Sequence, residues 1–323
     1  MIELADIEAA AERLKNVVVR TPLLRSVELD EIAGGRVLLK PECFQTIGSF
    51  KIRGAYNLMS QLPAELASRG VVAWSSGNHA QGVALAGRLL GIRATIVMPE
   101  DAPKSKLDRT RRLGAEVILY DRYSGDREAI ARRIAAERGA EIVPSYDSEH
   151  IVAGQGTIGL EIIQQSGELG FLPDQVLVGC GGGGISAGMA VAINALSPDT
   201  GVYTVEPEEF DTTARSLRDG VRRRNEESAR SICDALQSES PGELPFAIHR
   251  KLGTASLVVS DAEVKAAMRF AFLHLKIVVE PGGAVSLAAV LSKKVDCENK
   301  TTAIVLTGGN IDAEFFSEIQ NEV

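Results

Sequence analysis

Residues 71–143 read VVAWSSGNHAQGVALAGRLLGIRATIVMPEDAPKSKLDRTRRLGAEVILYDRYSGDREAIARRIAAERGAEIV, and this stretch decides the fold. Four short runs, VVAW, ATIVM, EVILY and EIV, have strand character. Between them the spans Asn78–Leu90, Lys104–Leu113 and Arg127–Arg138 have helical character, and Gly or Pro marks the turns. Strands that alternate with helices across short turns predict a parallel sheet covered on both faces.

The same alternation extends outward. Upstream, Ile2–Leu14 has helical spacing, VVVRTPLLRS reads as an extended segment stopped at Thr21-Pro22, and RVLLK at 36–40 reads as a strand. GSFKIRGAYNLMSQL then predicts a helix with Ser49, Phe50 and Lys51 in its first turn. Downstream, GQGTIGLEIIQQ predicts a helix, DQVLVGCGGGGISAGMAVAINAL a strand, glycine loop and helix, and VYTVE a strand. Arg215 to Pro245 is charged and without clear period, which predicts surface helix and loop. The chain closes with helices in DAEVKAAMRFAFLHL and EPGGAVSLAAVL, strand TAIVLT and the turn GGN. With 323 residues and no repeat or low-complexity linker, the expected fold class is α/β with two interleaved domains.

Lys and Arg number 35 against 43 Asp and Glu, a net charge of −8, which leaves a nucleic-acid backbone no general reason to bind. The cysteines Cys43, Cys180, Cys233 and Cys297 are far apart and form no C-x-x-C pair, so neither a zinc cluster nor a disulfide framework is expected. The first twenty residues are charged and helix-periodic, unlike a secretory signal, and no apolar run reaches the roughly 18–20 residues that span a bilayer. A soluble cytoplasmic protein is expected.

Four segments can carry chemistry. Lys51 sits in G-S-F-K on the first turn of a helix; a lone lysine there is ordinarily a solvated face. Ser75-Ser76-Gly77-Asn78-His79 joins a strand to a helix, where free backbone N–H groups suit an anion, although a capped turn explains it equally. Gly179-Cys180-Gly181-Gly182-Gly183-Gly184 makes a second such join. Four consecutive glycines cost backbone entropy, and a phosphate cradled by their N–H groups accounts for them. Thr307-Gly308-Gly309-Asn310 closes the last strand, at the end where open parallel sheets bind ligands. Gly179, Gly181 and Gly184 also satisfy G-x-G-x-x-G, with Glu206 placed as a ribose-binding acid, so a nicotinamide-dependent dehydrogenase or nucleotide-binding protein is the rival reading. That rival leaves Lys51 and the 75–79 turn without a role.

Taken in order, RTPLL at 20–24, GSFKIRGA at 48–55, SSGNHAQGVA at 75–84, AGQGT at 153–157, GGGG at 181–184, EPGGA at 280–284 and TGGN at 307–310 closely resemble the serine/threonine dehydratase and serine racemase family. These are fold type II pyridoxal-phosphate enzymes. The resemblance covers nearly the whole chain and implies a tryptophan synthase β-like fold, with parallel-rich open twisted sheets flanked by helices. Residues 1–69 and 148–323 would form the large cofactor-binding domain and 70–147 the small substrate-binding domain. It further implies Lys51 as the Schiff-base lysine, with Phe50 near the pyridine ring and Asn78 on the ring's 3′ oxygen. Gly181, Gly182, Gly183 and Gly184 would hold the phosphate, Thr307 would face the pyridine nitrogen, and Glu280 of EPGGA would line the cofactor site. Ser75, Ser76, Asn78 and His79 would meet the substrate carboxylate.

The activity so implied is loss of water and ammonia from a small L-β-hydroxy amino acid (serine, threonine or 3-hydroxyaspartate) by a carbon–oxygen lyase. Ser76 opens a second proton route, since racemases of the group have serine there and many threonine dehydratases alanine, so an amino-acid racemase with dehydratase side activity is the alternative. Arg127 matches an arginine near the active-site mouth of the racemases, where with His79 it would take a second carboxylate by a bidentate contact, although an arginine on a surface helix is ordinarily solvated. A Mg²⁺ or Ca²⁺ ion is implied on Glu206, the Phe210 carbonyl and Asp211, although relatives place the aspartate at the position of Thr212. A homodimer is expected by the resemblance alone.

Overall fold

The structure is a computed structural model that describes residues 1–102, 104–121, 124–226 and 228–322. Among the described residues ten strands run in chain order as β1 (Leu24–Arg25), β2 (Arg36–Pro41), β3 (Val71–Trp74), β4 (Ala94–Pro99), β5 (Glu116–Tyr120), β6 (Glu141–Ile142), β7 (Gln175–Gly179), β8 (Gly201–Pro207), β9 (Ala255–Val259) and β10 (Thr301–Leu306). They form a six-stranded sheet in the order β1-β2-β10-β7-β8-β9 and a four-stranded sheet in the order β5-β4-β3-β6. Every pairing is parallel except β1 with β2, where Leu24 lies opposite Leu39.

Successive residues of the central strands feed opposite cores. Leu39, Leu177, Ile304 and Leu306 face one core with the helix Pro281–Leu291. Leu38, Val176, Val178, Ala303 and Val305 face the other with Glu149–Glu168 and Gly184–Leu196. In the smaller sheet Val71, Ala73, Ile96 and Met98 face the helices Ile52–Met59 and Asn78–Leu90, whereas Val72 and Val97 face Arg127–Arg138. Burial on both faces is why these strands read as continuous apolar runs. Among the described residues no helix is long and apolar enough to cross a membrane.

Strand order places the ligand-binding end. In the large sheet the chain steps from β7 to β8 to β9 on one side, and β10 returns on the other side of β7. In the small sheet β4 and β5 lie on one side of β3 and β6 on the other. Loops leaving the carboxyl ends at these reversals diverge and open a crevice. The loops after β3, β7 and β10 are the three candidate turns of the sequence.

Three expectations need correction. The span Arg215–Pro245 is not wholly surface: Cys233 and Leu236 are buried in the main core, because one apolar turn inside a polar segment leaves no periodic trace. The strand β9 and the helix Glu243–Leu252 were not anticipated. In VVVRTPLLRS only Leu24–Arg25 pairs as a strand.

Candidate active site

Glycine packing brings the distant segments together. A Cβ on Gly308 would lie 2.0 Å from the Glu280 carboxylate, and one on Gly283 would lie 2.3 Å from the Gly308 carbonyl, so TGGN and EPGGA meet backbone to backbone. The Lys51 segment is clipped to the same turn: Phe50 N donates to Thr307 O at 3.2 Å and Gly309 N to Gly48 O at 2.9 Å. Gly82 completes the assembly: a Cβ there would lie 3.0 Å from the Lys51 backbone, and its absence lets the helix Asn78–Leu90 pack close against Lys51.

Lys51 is the N-cap of the helix Ile52–Met59, and its ammonium donates to Ser145 O at 2.8 Å while lying 5.2 Å from the Phe50 ring centroid. Burial lowers its pKa to about 8, because an enclosed site disfavours the charged form. Beside it, Asn78 is buried, donates Nδ2 to Glu280 Oε1 at 2.6 Å and accepts at Oδ1 from Asn310 Nδ2 at 2.7 Å. Burial first, and Asp234 second, push the Glu280 carboxyl up to about 8. The Thr307 hydroxyl is buried and donates to Gly282 O at 3.4 Å.

The glycine turn lies one residue away from Lys51's partner. Tyr146 follows Ser145, and its ring atoms stand 2.3 Å from where a Cβ of Gly182 would be; its backbone stands 2.9 Å from the corresponding point at Gly184. Gly183 has φ +91° with Pro245 2.8 Å from its Cβ position, and Gly181 abuts Leu236. The glycines therefore have a packing reason as well as a ligand reason, which corrects the expectation of entropy spent on an anion alone. An anion fits the turn nonetheless. No acceptor among the described residues takes the N–H groups of Gly181, Gly182 or Gly183, and the helix Gly184–Leu196 begins there.

Ser75 and Ser76 are half-buried at the end of β3, with Ser75 Oγ accepting from Gly77 N at 3.1 Å. His79 departs from its expected part. Its Nε2 donates to Val143 O at 2.9 Å, and burial, reinforced by Lys51, lowers its pKa to about 3. A neutral ring spending its single N–H on a carbonyl has no side-chain proton for a carboxylate, so residue 79 offers an anion only its backbone amide. Arg127 is exposed at the first turn of Arg127–Arg138, near enough for its charge to act on the Tyr146 phenol.

The side chains expected at a metal ion have other partners. Glu206 is buried with Oε1 accepting from Thr213 N at 2.7 Å and Oε2 from Ala214 N at 2.8 Å, so it caps the helix Thr212–Asp219. Asp211 pairs with Arg215 at 2.7 Å, and Phe210 is buried. Among the described residues no group of three or more His, Cys, Asp or Glu side chains is placed to hold a metal ion.

Ser145, Tyr146 and Arg109 escaped the sequence reading. Ser145 and Tyr146 follow β6, and the rule that ligands sit beyond strand carboxyl ends was the one signal available for them. Arg109 had none: it lies in a basic helix and reveals itself only by donating to Asn310 Oδ1 and to Ile47 O.

The family model described as pyridoxal-phosphate dependent enzyme matches residues 14–308. The L-threo-3-hydroxyaspartate ammonia-lyase of a Pseudomonas species is 44% identical over 97% of this chain and 97% of its own length. The L-threonine ammonia-lyase of Thermotoga maritima is 44% identical over 100% of this chain and 79% of its own. The solved structure of maize serine racemase superposes with a TM-score of 0.92 at 36% identity, covering 98% of this chain and 96% of that one.

Proposed function

This chain belongs to the pyridoxal-phosphate dependent enzyme family, and from that premise we propose that it is an ammonia-lyase removing water and ammonia from a small L-β-hydroxy amino acid. Serine, threonine and 3-hydroxyaspartate are the candidate substrates. The observation that carries the reading is the convergence on one amine: Lys51 bonds Ser145, whose neighbour Tyr146 lies on the glycine turn, while Asn78 and Glu280 gather at the Thr307–Gly308 turn that clips the Lys51 segment.

Lys51 would hold pyridoxal phosphate, Gly181 to Gly184 its phosphate through backbone N–H groups, Asn78 its 3′ oxygen and Thr307 its ring nitrogen, with Phe50 and Glu280 beside the ring. When bound, the cofactor supplies an electron sink for the electrons left at Cα. The free Lys51 amine, with a pKa near 8, is neutral often enough near physiological pH to take the Cα proton at Nζ. Thr307, a neutral hydroxyl, would bring no negative charge to the ring nitrogen and so would leave that nitrogen without a charged partner for a proton. The turn 75–79 would take the substrate carboxylate through Ser75, Asn78 and the amide of residue 79, with Arg127 at the mouth for a second carboxylate. The donors on both Glu206 oxygens do not suit a cation, and no step is assigned to a metal.

In this reading residues 70–147 act as the substrate domain, and 1–69 with 148–323 as the cofactor domain. A homodimer is proposed on family resemblance, and a cytoplasmic location on the free cysteines.

The purified protein should show the visible Schiff-base band, which Lys51→Ala abolishes, and should release keto acid and ammonia from at least one of the three substrates. Absence of the band after cofactor is added would end the proposal. Ser76 supports racemisation as the second reading: Ser76→Ala should then stop racemisation and spare elimination.

A further inference from the structure

We propose that Arg109 is a positioning residue that sets, through Asn310, which end of the Asn78 side-chain amide faces the cofactor. The inference rests on the reading above, in which Asn78 donates a hydrogen bond to the ring oxygen of pyridoxal phosphate.

The oxygen and nitrogen ends of an asparagine amide are nearly the same size, so packing does not choose between its two orientations; the polarity of its neighbours does. Asn78 has two such neighbours, Asn310 and Glu280. Glu280 cannot make the choice. With its carboxyl pushed up to about 8 it carries a proton through much of the neutral range, and a protonated carboxyl both donates and accepts. Asn310 is itself an amide with the same ambiguity.

The ambiguity ends at Arg109. A guanidinium only donates. Arg109 reaches from the helix Lys104–Arg112, which packs on the small sheet, to the turn after β10, giving Nη1 to Asn310 Oδ1 and Nη2 to Ile47 O at 2.9 Å. Asn310 must therefore turn its oxygen to Arg109. Its Nδ2 is left for Ile47 O at 2.9 Å, which reinforces the choice, and for Asn78 Oδ1 at 2.7 Å. Asn78 must in turn give its oxygen to Asn310, which leaves Nδ2 as the end that faces Glu280 and the cofactor site. A reversed Asn78 would aim a carbonyl oxygen at an anionic ring oxygen. One exposed-looking arginine in a basic helix thus orients a donor two side chains away.

The test is titration of pyridoxal phosphate into the full-length protein freed of cofactor, read by the Schiff-base band, with a thermal melt of each variant. Arg109→Met should weaken cofactor binding by about tenfold, the scale of one charge-assisted hydrogen bond. Arg109→Lys, whose ammonium is also donor-only, should restore affinity to within about threefold of wild type. Asn310→Asp is the decisive variant. It keeps an acceptor for Arg109 but loses the N–H that serves both Asn78 and Ile47 O, so it should bind cofactor more than about tenfold more weakly while still melting as a folded protein. Were Arg109 only a clasp between layers, Asn310→Asp would strengthen the clasp and bind cofactor like wild type. That result, or equal affinities for Arg109→Met and Arg109→Lys, overturns the proposal, and if Asn310→Asp does not fold the Lys and Met pair decides. Failure of the underlying reading looks different: wild type would form no Schiff base, or Lys51→Ala would keep it.

Discussion

Replacing Lys51 by methionine should stabilise the cofactor-free protein while destroying its proposed function. Confinement lowers the amine's pKa from 10.5 to about 8, and at about 1.4 kcal/mol per tenfold change in proton affinity this costs about 3 kcal/mol wherever the folded amine is charged. Partial exposure of the side chain trims that figure. Loss of the bond to Ser145 O removes about 1 kcal/mol of stabilisation, so the net gain in Lys51→Met at pH 7 is about 2 kcal/mol. Below pH 8 the amine is charged in both states and the cost is constant. Between pH 8 and 10.5 the unfolded chain holds more protons than the folded one, so wild-type stability rises with pH relative to Lys51→Met and the two converge. Urea unfolding of both proteins at pH 7, 8.5 and 10 reads this directly, and melts should differ by about 4 °C at pH 7. A constant difference across that pH range, or a Lys51→Met protein less stable at pH 7, would refute the burial argument.

Arg53 grips Glu42 through two bonds of 2.8 Å and Glu161 through two, of 2.7 and 3.0 Å, with Arg53 and Glu42 fully buried. Glu42→Ala should cost about 3 kcal/mol in urea unfolding, because it leaves a buried cation with Glu161 as its remaining carboxylate partner, and a paired apolar replacement of Arg53 and Glu42 should recover part of it. Gly182→Ala should drive Tyr146 off the glycine turn and weaken cofactor binding at least about tenfold, with Tyr146→Ala in the same chain restoring room and part of the affinity. Exhaustive chelation should change neither turnover nor melting temperature, since backbone amides occupy both Glu206 oxygens and Arg215 holds Asp211.

The central strands of the two sheets were legible because burial on both faces writes a continuous apolar run, and the glycine turns because backbone contact tolerates no side chain. Arg215–Pro245 and β9 were not legible: Cys233 and Leu236 are buried by what packs on them, and β9 is half-buried at a sheet edge with an uneven pattern. The turns that hold Lys51, Asn78 and Thr307 could be singled out locally and Glu280 came from the family resemblance, whereas neither source revealed the partners of the His79 ring and of Glu206. Each has the right atoms for a ligand, and each spends them on a partner distant in sequence or on a helix end.

The sequence alone determined an alternating α/β chain and its glycine turns, because periodicity and glycine spacing are properties of neighbouring residues, and the ordered motifs of the family resemblance singled out the lysine on which the chemistry is proposed to depend. Tertiary structure decided which hydrogen-bonding atoms stay free for a ligand. Ser145 and Lys51 lie 94 positions apart, and Arg109 and Asn310 lie 201 apart. Donor and acceptor allotment across such distances depends on how strands are ordered and loops converge, which no local pattern records.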